Sequence, residues 1–128
     1  MPSFGTNSKR RLATCDPKIK EVLNEAIKHF DFSCIWGHRG RAHQNRAFDS
    51  GHSTLQWPNS RHNSLPSEAV DVIPWPGGFD NEDEAFYEMA TYVLRAASKL
   101  GVDLRWGGHW TSLKDLAHFE LGSKRNQG

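Results

Sequence analysis

The chain has 128 residues, 16 Lys+Arg against 15 Asp+Glu, and a formal net charge of +1. That is the size of one ordinary domain, which buries about two thirds of its unfolded surface and needs no disulfide or metal merely to fold. The near-neutral balance gives no global reason to bind nucleic acid or an anionic membrane, and two cysteines against seven histidines exclude a disulfide framework or a zinc ribbon.

Lys9, Arg10 and Arg11 lie near the N-terminus, but no apolar run follows them. No stretch approaches the roughly 18 apolar residues of a membrane span. A chain made in the cytoplasm, with no signal of its own, is expected. The first periodic element covers residues 16–30: Asp16 caps it, Pro17 takes the first helical position, and Ile19, Val22, Leu23, Ala26, Ile27 and Phe30 form one apolar face. Residues 31–36 read as a short buried strand closed by Gly37. Residues 39–49 are polar, a short surface helix at most, and residues 51–66, with Gly, Ser, Asn and two prolines, read as a loop.

Residues 68–73 make a second strand, ended by Pro74-Trp75-Pro76-Gly77-Gly78. Asn81 and Glu84 have capping-box spacing and open the longest helix. Its core stripe is Phe86, Met89, Ala90, Val93, Leu94, Ala97 and Leu100, and Gly101 is its stop. Residues 102–106 and 117–121 are a third and fourth strand, and the last seven residues are expected to fray. This order predicts an α+β fold with helices packed on a small, largely antiparallel sheet.

With so few cysteines, any metal site must use His and carboxylate. Asp71 is the sharpest anomaly, a carboxylate between Val70 and Val72 on a strand that should be at least half buried. Two readings stay open: an exposed edge-strand Asp, or one that is paired, hydrogen-bonded or metal-bound. His62 lies in a polar loop, and His118 begins an apolar strand with Asp115 three residues before it. His118 beside Phe119 reads alone as a satisfied core histidine. Together His62, Asp71 and His118 would supply two imidazoles and a carboxylate, enough for tetrahedral zinc with a fourth position for water. Asp115 would stand by as a non-ligating carboxylate able to move a proton.

The other histidines read more plainly. His29 closes a helix, where a cation suits the dipole, and His38, His43 and His52 sit in exposed polar segments. Gly107-Gly108 would let His109 approach a cleft and touch substrate. Trp57, Trp75, Trp106 and Trp110 either line that cleft or simply pack. Cys15 and Cys34 are reduced thiols, Cys34 buried. Arg39, Arg41 and Arg46 form a local basic cluster without any nucleic-acid recognition motif.

Taken in order, Ser60-Arg61-His62, Ala69-Val70-Asp71 and Asp115-Leu116-Ala117-His118 follow a Ser-x-His, Ala-x-Asp, acid-x-x-His pattern. In this the chain resembles the zinc D,D-carboxypeptidase and L-alanyl-D-glutamate endopeptidase family, which includes vancomycin-resistance dipeptidases and phage endolysins. Gly37-His38-Arg39 is similar to the family's upstream Gly-x-Arg, followed by Gln44 and Gly51-x-Ser53. Asp31-Phe32, Leu104-Arg105-Trp106-Gly107-Gly108 with Trp110, and His118-Phe119-Glu120-Leu121 resemble the phage branch. The likeness extends over residues 4–121. Three departures bear on the cleft and its specificity. The interval from His62 to Asp71 is longer than the family's commonest spacing, with Leu65-Pro66 inside it. The run from Trp110 to Asp115 is short, and His109 stands where similar relatives often have Asp.

The resemblance implies a hedgehog/D,D-peptidase-like catalytic domain spanning residues 1–128, with no separate wall-binding domain. It implies one Zn2+ per chain on His62, Asp71 and His118, and Asp115 as the base that takes the water proton and returns it to the leaving amine. Glu120, on the same strand face as His118, is the rival base. Arg39 would polarise the scissile carbonyl or hold the developing oxyanion. Gln44 and Ser60 would position substrate or orient ligands, with His109 and Trp110 as further substrate contacts. The expected partner is the peptidoglycan stem peptide, cut by a monomer between L-Ala and D-Glu, with no nucleic acid or membrane involved. The alternatives are D-alanyl-D-alanine carboxypeptidase action and a catalytically silent zinc-binding phage structural module. An enzyme of this kind would accumulate in the host cytoplasm and reach the wall through holin-type lesions.

Overall fold

Asp16 accepts a hydrogen bond from the Lys18 N–H at 2.8 Å and Pro17 starts a helix whose Ile19, Val22, Leu23 and Ala26 are buried, as their spacing requires. The computed structural model describes residues 2–111 and 114–122. Within them the order is α1 (Thr6–Leu12), α2 (Pro17–Ala26), β1 (Phe32–Trp36), α3 (Arg41–Asp49), β2 (Ala69–Pro74), α4 (Asp83–Leu100), β3 (Leu104–Trp106) and β4 (His118–Leu121). The strands form one sheet in the order β1-β2-β4-β3, antiparallel at every pairing. The expected α+β architecture is present. Apart from Gly122, the tail expected to fray lies outside the described residues.

Several elements differ from the expectation for identifiable reasons. α1 carries no apolar period, because only Ser8 and Leu12 are buried on it. It is held instead by the Ser8 hydroxyl, which accepts a buried hydrogen bond from the Cys34 N–H at 3.0 Å. α2 stops at Ala26, and residues 27–29 turn while Ile27 still packs into the core. α3 is a regular helix rather than a loose polar stretch, fastened by a single buried residue, Gln44. The expected loop over residues 51–66 contains a 3-10 turn, Arg61–Asn63.

The capping box at Asn81 is not formed. Glu82 occupies the N-cap without a side-chain bond, while the Asn81 amide donates to the carbonyls of Pro76 and Gly78 at 2.8 and 2.9 Å and ties down the preceding turn. The stop at Gly101 is formed as expected, in the left-handed region at φ 70°. Ala117 belongs to the turn before β4 rather than to the strand.

Strand alternation then sorts the two faces of the sheet. Val70 and Val72 of β2 and Phe119 and Leu121 of β4 face the core formed with α2 and α4. The residues between them, Asp71 on β2 and His118 and Glu120 on β4, therefore share the opposite face. β2 and β4 are the two central strands, so the edge-strand reading of Asp71 does not hold.

Candidate metal centre

The sheet register brings the first two donors together. Asp71 and His118 are direct partners in the β2–β4 ladder, and His118 Nδ1 lies 3.1 Å from Asp71 Oδ1. The third donor arrives on the 3-10 turn. Ser60 caps that turn by accepting from the His62 N–H at 3.2 Å, and the Asn63 side chain closes a capping box on the Ser60 N–H. The turn is docked on residues 37–39: the Arg39 N–H donates to the His62 carbonyl at 2.7 Å, and the Asn63 amide donates to the Arg39 carbonyl at 2.9 Å. His62 Nε2 thereby comes to 3.3 Å from Asp71 Oδ1.

His62, Asp71 and His118 are the described residues whose donor atoms converge, all within 4.8 Å of one another. Each is almost wholly buried, at 2%, 9% and 8% exposure. His62 Nδ1 is engaged with the Gly37 carbonyl at 2.8 Å, which fixes its N–H there and turns Nε2 inward. That Nε2 is buried and has no hydrogen-bond partner, despite its closeness to Asp71. An orphaned buried imidazole nitrogen beside a carboxylate and a second imidazole suits a cation, and two nitrogens with one oxygen suit a transition metal ion. The donor set fits a metal.

The electrostatics carry the same preference. Burial alone would raise the Asp71 carboxyl, but the hydrogen bond with His118 and the closeness of the two imidazoles outweigh it and hold the group well below the usual carboxylate range. Burial likewise opposes an imidazolium at His118, yet its bonds to Asp71 and Glu120 raise it to about 9. Positive charge is favoured at this point in the fold.

Around the donors stand the other residues singled out by sequence. Arg39 is buried rather than solvated, its Nη2 3.2 Å from Asp71 Oδ2 and its Nη1 3.1 Å from Gln44 Oε1. It also lies over the Trp36 ring at 5.0 Å. Gln44 is fully buried, and its amide donates to Ser53 Oγ and to the Leu55 carbonyl at 3.0 and 2.7 Å. The structure commits that side chain to Arg39 and the following loop, a place from which it supports the arginine beside Asp71. Ser60, as the cap on the His62 turn, is also turned to the scaffold.

Asp115 is partly buried, with Oδ1 accepting from the Ala117 N–H at 3.2 Å. Burial, and then the charge of Asp71, raises its carboxyl above the ordinary value. Gly107 lets it sit there, since a Cβ on that residue would run into the Asp115 backbone carbonyl. Glu120 lies behind His118, with Oε1 2.8 Å from its Nε2 and Oε2 3.2 Å from Arg61 Nε. Trp110, the one tryptophan expected to contact substrate, packs its ring 5.1 Å from that of His118 and is partly exposed. His109 is exposed and meets Trp106 edge-on. Trp106 itself is core, and its indole N–H donates to the Leu116 carbonyl.

A His–Asp–His donor set with a spare carboxylate near enough to feel the charges of all three is the layout of a single-metal hydrolase centre. The chain belongs to the phage L-alanyl-D-glutamate peptidase family, whose model matches residues 2–123. An L-alanyl-D-glutamate peptidase of Escherichia phage T5 is 32% identical over 122 residues, spanning 92% of this chain and 88% of the relative. The crystal structure of the Serratia marcescens L-Ala D-Glu endopeptidase ChiX matches the fold with a TM-score of 0.80 at 31% identity, covering 94% of this chain and 91% of that one.

Proposed function

We propose that this chain is a zinc-dependent peptidoglycan peptidase that hydrolyses the L-Ala–D-Glu amide bond of the stem peptide. The observation that carries the reading is the convergence of His62, Asp71 and His118, one nitrogen unpartnered, beside Asp115. The names of the phage T5 and Serratia relatives supply the bond. Zinc held by these three residues would supply Lewis acidity to a water and to the scissile carbonyl at neutral pH.

The chain's own residues do the rest. Asp115 takes the proton of the attacking water and returns it to the leaving amine of D-Glu. Its Oδ1 is fixed by a backbone N–H, and no protein donor engages its second oxygen, among the described residues. Glu120 suits that role less well, since one oxygen is bonded to His118 and the other paired with Arg61. Arg39, anchored on Asp71 and Gln44, holds a fixed positive charge beside the carbonyl where negative charge develops. Trp110 and His109 flank the approach and contact the substrate. A monomer with one metal suffices for this chemistry.

The test is digestion of purified muropeptides by protein of measured metal content, with products identified by mass spectrometry. A new D-Glu amino terminus, and about one zinc per chain, is the expected result. Release of free D-Ala would replace the endopeptidase reading with a D,D-carboxypeptidase, and absence of any product from zinc-loaded protein would leave a silent binding module. Passage to the wall through holin-type lesions belongs to the same proposal. Lysis on expression without a holin would overturn that part.

A further inference from the structure

Arg61 is the middle residue of Ser60-Arg61-His62, a place that the sequence pattern treats as a spacer. In the fold its guanidinium reaches away from His62 to the far side of the site. Its Nε lies 3.2 Å from Glu120 Oε2, and its Nη1 donates to Glu68 Oε1 at 3.2 Å. The other oxygen of Glu120 is 2.8 Å from His118 Nε2, and the opposite ring nitrogen, Nδ1, is the one that faces Asp71. A continuous chain of contacts thus runs from Glu68 through Arg61 and Glu120 to His118.

We propose that Glu120, clamped by Arg61, is a positioning residue of the metal centre: it fixes His118 as the Nε2–H tautomer and so presents the bare Nδ1 to the ion. The inference rests on the metal-site reading above. Its physical basis is simple. Carboxylates face both ring nitrogens, Glu120 at Nε2 and Asp71 at Nδ1; with a cation held between Asp71 and Nδ1, the single N–H of a neutral imidazole goes to the nitrogen facing Glu120. The lone pair is then left on the nitrogen facing Asp71. Carboxylate acceptors behind ligating imidazoles orient the ring and raise ligand basicity in this way.

The geometry also explains why Arg61 and not Arg105 holds the carboxylate. Arg105 is the ladder partner of Glu120 across β3–β4, but its exposed side chain turns back to Asp103. Arg61 comes from the same 3-10 turn that carries His62. One three-residue turn therefore supplies a donor to the site and the clamp on the partner of another donor. Any shift of that turn moves both together.

The experiment measures zinc affinity by competition with a chromophoric chelator for the wild type, Glu120→Ala, Glu120→Gln, Arg61→Met and the Glu120→Ala/Arg61→Met double variant. Urea unfolding midpoints are recorded on the same samples. Glu120→Ala is expected to weaken zinc binding by about 10–100-fold, and Arg61→Met by a smaller factor of about 3–10-fold. Glu120→Gln, whose amide oxygen still accepts from Nε2–H, should fall between wild type and Glu120→Ala. Because Arg61 acts through Glu120, adding Arg61→Met to Glu120→Ala should change nothing further. Nitrogen-15 and proton shifts of the His118 ring in the zinc-loaded protein should show Nδ1 ligated and Nε2 protonated, with the Nε2–H proton moved upfield in Glu120→Ala for want of its acceptor, a change that a purely structural role would not produce. Should Glu120→Ala fail to fold, the Glu120→Gln and Arg61→Met variants carry the comparison. Affinities within twofold of a zinc-loaded wild type, or equal effects of Arg61→Met in both backgrounds, would overturn the positioning role alone. Wild-type protein that takes up no zinc would overturn the metal-site reading and this inference with it.

Discussion

Replacing Gln44 by Leu tests whether the site rests on the scaffold in the way the contacts indicate. The substitution keeps most of the volume of a side chain that is 0% exposed and removes all of its hydrogen bonds. Four are lost: Arg39 Nη1 to Oε1 at 3.1 Å, Asn63 Nδ2 to Oε1 at 3.2 Å, and Nε2 to Ser53 Oγ and the Leu55 carbonyl at 3.0 and 2.7 Å. Their costs differ. Asn63 keeps the Arg39 carbonyl, and Ser53 Oγ still donates to the Leu55 carbonyl, so each neutral bond contributes about 0.5 kcal/mol, the low end for a bond whose partners are re-satisfied. The bond to the buried guanidinium has no replacement and is worth about 1.5–3 kcal/mol. The sum is about 3–4.5 kcal/mol, a large share of the roughly 5–15 kcal/mol that holds a domain together. Urea unfolding read by tryptophan fluorescence measures it as a lower midpoint at unchanged slope. A loss below about 0.5 kcal/mol would refute the supporting role. A raised KM with stability untouched would return Gln44 to the substrate.

Asp115→Ala should retain stoichiometric zinc and lose about 10²–10⁴-fold in kcat, measured on muropeptides alongside metal content; undiminished turnover would remove Asp115 as base. Gly107→Ala should push on the Asp115 backbone carbonyl and lower kcat by on the order of 10-fold or more while zinc stays bound, because the base and not the donors moves. Gly37→Ala should do the reverse. Its Cβ would meet Thr14 Oγ1 and the Arg11 carbonyl, shift the Gly37 carbonyl that orients His62, and weaken zinc binding by about 10-fold in a chelator competition. The two buried thiols set an alkaline limit. Burial raises Cys15 from 9.0 to about 12 and pushes Cys34 up as well, so the unfolded chain releases these protons first. Their contribution is complete below about pH 8.5 and falls as pH rises toward 12. A Cys15→Ala/Cys34→Ala variant should therefore show a flatter loss of stability above pH 9 in urea titrations, and an identical alkaline limb in both proteins would refute it.

What the sequence made legible follows from how local each signal is. The stripe Phe86, Met89, Ala90, Val93, Ala97 repeats at helical spacing and is buried as a block, so α4 could be read without any tertiary knowledge. α1 was invisible because only Ser8 and Leu12 of it are buried, too few to show a period, and the serine hydroxyl bonds a strand 26 residues away. Asn81 has the chemistry of a cap, but a tight turn at 77–78 offers its amide three carbonyls closer than the helix start. At the site, residue type left plainer readings open for Asp71 and His118, and it was the resemblance in the order of motifs that singled out His62, Asp71, His118 and Asp115. It did not show that Arg39 and Gln44 are buried. An arginine and a glutamine on a polar run look solvated until the fold places Asp71 against one and the loop at 53–55 against the other.

The arrangement also accounts for how a nearly neutral chain assembles a cation site without depending on the cation to fold. Each donor is set by contacts that do not involve the others. Asp71 and His118 face each other because β2 and β4 pair in one register, and a one-residue slip of either strand would turn its donor to the core side of the sheet. His62 is set by the docking of residues 61–63 on residues 37–39 and by the Gly37 carbonyl on its Nδ1. Small zinc modules, by contrast, gain their fold from the metal itself. Here the hydrophobic core on the opposite face of the sheet, from Val70 and Val72 to Phe119, bears that cost. A metal bound there would add stability that grows with the logarithm of its free concentration, about 2.7 kcal/mol at 100 times Kd. The donors stand ready beforehand, so little of the binding free energy would go into assembling them.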